Sequence, residues 1–196
     1  MTAHPFWEDY RKKFVETDLD NFKNWESVRR LPLYNPFELQ KEYSDDNRKL
    51  LSNSLMRSQW ETVLEKGEPR KGHGSEDSHL AVHFDFDGIK TSAWCMKSLH
   101  HILTFDKLRQ NPITDYQNIV EIGAGIGETA RMIFDSKMFT GKYYVIDFPE
   151  VSKISSYYLD NRTIVLDNID KLPHNVKDGL FIATWSLSET PLEYRN

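Results

Sequence analysis

Residues 118–134 read NIVEIGAGIGETARMIF: an apolar run, glycines at 123, 125 and 127, and a helix-like segment opening at Glu128. A strand that turns through glycines into a helix brings backbone close to whatever binds at the carboxyl edge of a parallel sheet. Turns of this kind serve several unrelated chemistries, so the residues around the glycines have to decide between them.

Downstream, the pattern continues as strands alternating with helices. Apolar runs at 143 to 147, 163 to 167 and 180 to 185 follow the run at 118 to 122, with helical stretches at about 128 to 137 and 149 to 160 between the first three. Such alternation predicts an α/β fold with a parallel sheet built from crossover units. Upstream, residues 1–110 predict a mainly helical cap region, and residues 111–196 the strand-and-helix region. The boundary falls in the polar stretch 108 to 117, which carries Pro112.

Within the front half, Phe6, Trp7, Tyr10 and Phe14 share one helical face, and Phe22, Trp25 and Val28 repeat the pattern. Pro32 and Pro36 interrupt it. A longer helix capped by Ser44 or Asp45 is expected next, with Leu51, Leu55, Met56, Trp60, Val63 and Leu64 as its buried stripe and an end near Gly67. The segment KGEPRKGHGSEDSH, 66 to 79, is the most polar and glycine-rich stretch and reads as a loop. HLAVHFDFDG, 79 to 88, alternates as a strand does, and KTSAWCMKSLHHILTF, 90 to 105, reads as a helix.

The 196 residues suffice for one sizeable core but hardly for two full domains. With 39% hydrophobic and 28% charged residues the composition is that of a globular chain, and a formal charge of -5 disfavours a nucleic-acid backbone as partner. A single cysteine, Cys95, rules out an intrachain disulfide and a cysteine-based zinc site. Neither a signal-peptide run at the start nor an apolar window near the ~18 residues of a membrane span is present, so a cytoplasmic protein without a membrane span is expected.

The glycines are spaced G-x-G-x-G, whereas a dinucleotide fingerprint requires G-x-G-x-x-G. Its third glycine would stand at Glu128. A carboxylate there is read as opposing a pyrophosphate at the helix N-terminus. Glu121, at the end of the first strand, adds a second acid to the same mouth. S-adenosyl-L-methionine carries an ammonium and a sulfonium but no phosphate, so negative charge would attract it. Asp147, 24 residues after Gly123 and ending YYVIDFPEV, stands where an acid accepts hydrogen bonds from ribose hydroxyls. The lesser alternative is that it caps the helix that Pro149 opens.

VEIGAGIGE (120–128) followed by YYVIDFPEV (143–151) resembles the first two cofactor motifs of class I S-adenosylmethionine-dependent methyltransferases. Together with LFIATWSLSETPLEYR (180–195), these stretches resemble more narrowly a sugar O-methyltransferase family of bacterial surface-polysaccharide gene clusters. The resemblance implies Gly123, Gly125 and Gly127 at the methionine moiety, Glu121 near its amino end, and Asp147 on the ribose. It places Asp167 near the adenine, unless that residue is a capping or solvated loop carboxylate. Ala124 and Phe148 complete the implied cofactor set. The expected partner is a small-molecule or carbohydrate substrate.

Methyl transfer to an alcohol needs alignment and a base. The last strand delivers ATWSLSETPLEYR to the carboxyl edge, making Glu189 the candidate base, with Trp185, Ser186 and Ser188 on the substrate side. Glu189 reads equally as a cap for a helix near Pro191. His79, His83, Asp85 and Asp87 offer a divalent-metal ligand set, against which a solvated strand face is favoured, and no metal site is assigned. His100 and His101 read as interfacial, and Cys95 as a small buried hydrophobe.

The methyltransferase sheet that the resemblance implies has seven strands, and the sequence ends soon after the fourth. A truncated fragment is the favoured expectation; a homo-oligomer covering the edge of that strand is the other. Rival functions are methylation of another small-molecule or peptide acceptor, and a catalytically silent fragment acting as an interaction module. A dehydrogenase is the weakest.

Overall fold

The computed structural model describes residues 8, 11–12, 39–54, 56–65, 83–109, 111–159 and 162–184. Glu8, Arg11 and Lys12 are helical. Helices α1 (Leu39–Ser52) and α2 (Arg57–Glu65) precede a hairpin of β1 (His83–Phe86) and β2 (Ile89–Ser92), which leads into α3 (Ala93–Arg109). Four strands follow with helices between the first three: β3 (Asn118–Ile122), α4 (Glu128–Asp135), β4 (Lys142–Ile146), α5 (Pro149–Tyr158), β5 (Thr163–Leu166) and β6 (Gly179–Ile182). Short 3-10 turns at Ile113–Asp115 and Ile169–Lys171 join the pieces.

The molecule is α/β, with a four-stranded sheet in the order β5-β4-β3-β6 and every pairing parallel. From β3 the chain steps outward through α4 to β4 and through α5 to β5. It then returns to the other side of β3 as β6. The direction of winding therefore reverses between β3 and β6, the kind of position at which open α/β sheets bind ligands, outside the carboxyl ends of the strands.

Side-chain alternation along the strands divides the core in two. Ile119, Tyr143 and Val145 join the larger cluster, which also takes in Leu99 and Ile102 of α3, Met132 and Ile133 of α4 and Trp60 of α2. This core is continuous from α1 to Leu159. Val120, Tyr144 and Ile146 face the other way, where Ile169, Leu172 and Val176 provide a thinner cover. On that side Phe181 is 51% exposed and Ile164 38%.

The front half departs from expectation in two places, each for a local reason. The single helix expected from Ser44 or Asp45 starts earlier, at Leu39, and is two helices. Ser52 and Asn53 side chains donate back to the Lys49 carbonyl, and the Ser54 hydroxyl accepts the Met56 N–H. These side chains satisfy backbone groups that a continued helix would have used. Leu51, Trp60, Val63 and Leu64 are buried as expected, Met56 is half-buried, and Leu55 lies outside the described residues.

The expected lone strand is a hairpin whose second arm takes residues assigned above to the helix. Asp87 and Gly88, at φ 52 and 84, make its two-residue turn. Asp85 accepts the Gly88 N–H at 3.0 Å, and Arg48 of α1 binds Asp87 at 2.9 Å while lying over the Phe86 ring. No helix among the described residues is long and apolar enough to cross a membrane.

Candidate functional site

The glycine turn sits at the carboxyl end of β3, at the point where the winding reverses. Gly123 extends the pairing by donating to Ile146 O at 2.9 Å, and Gly127 supplies the first residue before α4. Gly125 and Gly127 take φ of 58 and 82, a region in which a side chain is strained. Their surroundings differ. A Cβ on Gly127 would run into Leu159, whereas one on Gly125 would meet nothing within 4 Å. The open side of the turn is therefore at Gly125, with Gly123 exposed and Ala124 half-buried next to it.

Asp147 fixes this turn. It lies just past the last residue of β4 and projects one carboxylate oxygen to the Gly125 N–H and the other to the Phe148 N–H, each at 2.8 Å. Ser155 of α5 holds the opposite side of Gly125 by donating to its carbonyl at 2.6 Å. The loop is thus gripped from both sides by the second crossover. Desolvation pushes the Asp147 carboxyl up to about 6, and nearby Glu150 adds to the effect, against the two amide hydrogen bonds that favour its charge. Each oxygen keeps lone-pair capacity for a further donor.

Glu121 lies beneath the same turn, 2% exposed, and accepts the Tyr143 hydroxyl at 2.8 Å. Burial pushes its carboxyl up to about 7; hydrogen bonds from Tyr143 and Thr129 pull the other way, Asp147 raises it further and Lys97 of α3 lowers it. Glu121 pairs in register with Val145, two residues before Asp147, so both acids stand toward the carboxyl edge of the sheet. Both are poised between neutral and charged, so a cation arriving here would favour their ionised forms.

Glu128 requires a correction. Its side chain does not line the mouth: it is buried between α3 and α4, where it pairs with Arg131 and accepts from Cys95 at 2.9 Å. Arg131 also binds Asp135 at 2.9 Å and reaches the Cys95 sulfur at 3.1 Å. Its charge is neutralised internally, so it says nothing against a phosphate, and the objection to a dinucleotide rests on glycine spacing alone. Cys95 is buried as expected, yet it belongs to a polar cluster, and burial beside Glu128 pushes its thiol up to about 12.

Asp167 stands just past β5 at the same sheet edge, and Lys171 binds it at 2.6 Å, lowering its pKa. Phe148 is half-buried behind Asp147. Over its ring, 5.2 Å from the centroid, stands the guanidinium of Arg11, which also binds Glu150 of α5 at 3.2 and 3.3 Å.

Trp185, Ser186, Ser188 and Glu189 lie outside the described residues, as does His79. Asp85 and Asp87 are occupied by the hairpin turn and Arg48 rather than converging on an ion. Among the described residues, no group of three or more His, Cys, Asp or Glu side chains has metal-binding geometry. His100 and His101 pack against Tyr43, with ring centroids at 5.1 and 6.4 Å, and His100 meets the buried Asn47.

No family model matches the chain, and no curated protein or solved structure matches it. The site stands on its geometry. An open groove lined by Val120, Ile169, Leu172, Val176 and Phe181 lies on the second face of the sheet, and neither Glu121 nor Asp147 lines it. Ligands of open α/β sheets bind at the carboxyl edge, which favours the glycine turn over the groove.

Sequence reasoning missed three participants. Tyr143 was legible only as an apolar strand residue, although two-residue periodicity puts it on the same face as Glu121. Ser155 and Arg11 carry no local signal, because their roles arise from chain segments 30 and 139 residues from their partners.

Proposed function

We propose that the chain is a Rossmann-like, S-adenosyl-L-methionine-dependent methyltransferase unit that moves a methyl group to a hydroxyl of a sugar or related polyhydroxylated acceptor. The observation that carries the cofactor assignment is the Gly125 turn. It is open above, held by Asp147 and Ser155, and underlain by the acid Glu121.

The residues present fit such a guest. Glu121 offers negative charge near a cationic amino end, Asp147 has lone pairs left for ribose hydroxyls, and Gly125 leaves room for the chain between them. Phe148 supplies apolar surface beside Asp147, and Asp167 a further acceptor once its bond to Lys171 is shared. The cofactor, when bound, supplies an electrophilic methyl group on a sulfonium. Glu189 is proposed as the base that takes the acceptor's proton, with Trp185, Ser186 and Ser188 holding the acceptor; their motif, not their position, supports this.

Calorimetry with S-adenosylhomocysteine tests the reading. Binding that weakens at least about ten-fold in Asp147→Ala and in Gly125→Val is expected, since one loses the grip on the loop and the other fills its open side. Unchanged affinity in both would remove the cofactor assignment. Titration with NADH by fluorescence separates out a dinucleotide guest.

A second reading, an interaction module, draws support from the thinly covered sheet face with Phe181 at 51% exposure. Absence of cofactor binding in a chain that melts cooperatively and self-associates would favour it. Acceptor screening with radiolabelled cofactor discriminates sugars from phenols, lipids or peptides.

A further inference from the structure

Near the start of the chain, the described residue Arg11 meets the candidate site. Arg11 stacks on Phe148 and forms two contacts with Glu150, so it touches the residues on either side of the Pro149 turn that opens α5. Phe148 donates its N–H to Asp147, and Asp147 accepts the Gly125 N–H. A chain of direct contacts therefore runs from Arg11 through Phe148 and Asp147 to the open turn.

Charge leads the same way. Glu150 lies close enough to Asp147 to disfavour its ionised form. Arg11 neutralises Glu150, with a further contact to Glu8 three residues earlier. Removing Arg11 would leave Glu150 unpaired beside the carboxylate that holds the glycine loop. A planar guanidinium suits this double role, since it can stack and bind a carboxylate at once.

We propose that Arg11 is a positioning residue for the nucleoside end of the ligand, a clamp whose contacts brace the Asp147–Phe148 rim so that ligand binding and the Arg11 contacts strengthen each other. This rests on the cofactor reading above and deepens it by naming how the front of the chain takes part. Two sites that share one set of contacts must be coupled reciprocally. The ligand then stabilises the Arg11 contacts by the same factor in equilibrium by which those contacts tighten the ligand.

The experiment uses the full 196-residue chain, with S-adenosylhomocysteine as the probe. Calorimetry on the wild type, Arg11→Ala, Glu150→Gln and the double variant is combined with hydrogen exchange over residues 8–12. Arg11→Ala is expected to weaken binding about five-fold or more. Glu150→Gln in the Arg11→Ala background should recover part of that loss, because the unpaired charge is gone. Arg11→Lys, which keeps the charge but not the stacked plane, should fall between wild type and alanine. In the wild type, the ligand should slow exchange over residues 8–12.

Wild-type binding with Arg11→Ala and Glu150→Gln indistinguishable from it, or exchange that ignores the ligand, overturns the clamp and leaves the cofactor reading standing. A wild type that does not bind the probe overturns both. A purely structural role would shift the melting temperature without the recovery in the double variant, and that outcome also counts against the clamp.

Discussion

Tyr143 donates its hydroxyl to Glu121 at 2.8 Å, tying β4 to β3 directly beneath the glycine turn. Both side chains are fully buried, and the hydrogen bonds from Tyr143 and Thr129 do not offset the desolvation of the carboxylate, which is why burial raises the Glu121 carboxyl to about 7. The folded protein therefore holds this proton more tightly than the unfolded chain, whose glutamates titrate near 4.5. Between those values the native state binds more protons than the unfolded state, so Glu121 costs stability as pH rises, fully so above about 7. The penalty is on the order of 3 kcal/mol. Glu121→Gln should remove it. Urea melts at several pH values should show the variant gaining on the wild type from pH 5 upward, and parallel curves would contradict the assignment.

The same acids set the pH dependence of ligand binding with the opposite sign. Asp147, raised to about 6, and Glu121, raised to about 7, are partly neutral in slightly acidic solution. A ligand carrying an ammonium group prefers their ionised forms. Affinity for S-adenosylhomocysteine should rise as pH climbs from about 5.5 to 7.5 and level off beyond. Glu121→Gln should flatten the upper part of that rise, leaving the Asp147 part. Calorimetry across the range reads both, and an affinity that falls with pH would exclude a cationic guest.

The α/β half was legible because its two central strands are buried on both faces and read as apolar runs, NIVEI and KYYVI, punctuated by glycine or proline. Boundaries there agree to within about three residues. Asp147 was found from its distance past the glycines, but its hydrogen bonds to Gly125 and Phe148 were not, since they depend on how the two loops meet. Glu128 was misread because a carboxylate at the first turn of a helix ordinarily faces solvent. Only the packing of α3 against α4 turns it inward, toward an arginine one turn away. The split between α1 and α2 did have a signal, the Ser52, Asn53, Ser54 cluster, and so did the hairpin in Asp87–Gly88, a pair that favours positive φ.

The Glu128–Arg131–Asp135 cluster holds α4 against α3, with Arg131 at 5% side-chain exposure between two carboxylates. Removing one member of a buried ionic group strands the others. Arg131→Ala should destabilise the fold by about 3–5 kcal/mol, far more than a surface arginine would. Replacing Glu128, Arg131 and Asp135 together with apolar residues of similar size should cost much less, since no charge is left alone. Denaturant titration checks both. Cys95 should resist alkylation until the protein unfolds, because its thiol is buried and held up to about 12.

Gly127 offers a test that separates backbone strain from steric exclusion. Its φ of 82 penalises any side chain, and a Cβ there would also collide with Leu159, which closes the core at the end of α5. Gly127→Ala should therefore destabilise by more than the ~1–2 kcal/mol of left-handed backbone alone. Leu159→Ala by itself leaves a cavity and should cost about 2–5 kcal/mol. The double variant removes the collision, so its loss should be smaller than the sum of the single losses, with the backbone part remaining. Because Gly127 opens α4 while Gly125 forms the open side of the turn, the double variant should retain more ligand affinity than Gly127→Ala. Strictly additive losses in stability would show that Leu159 does not restrict this position.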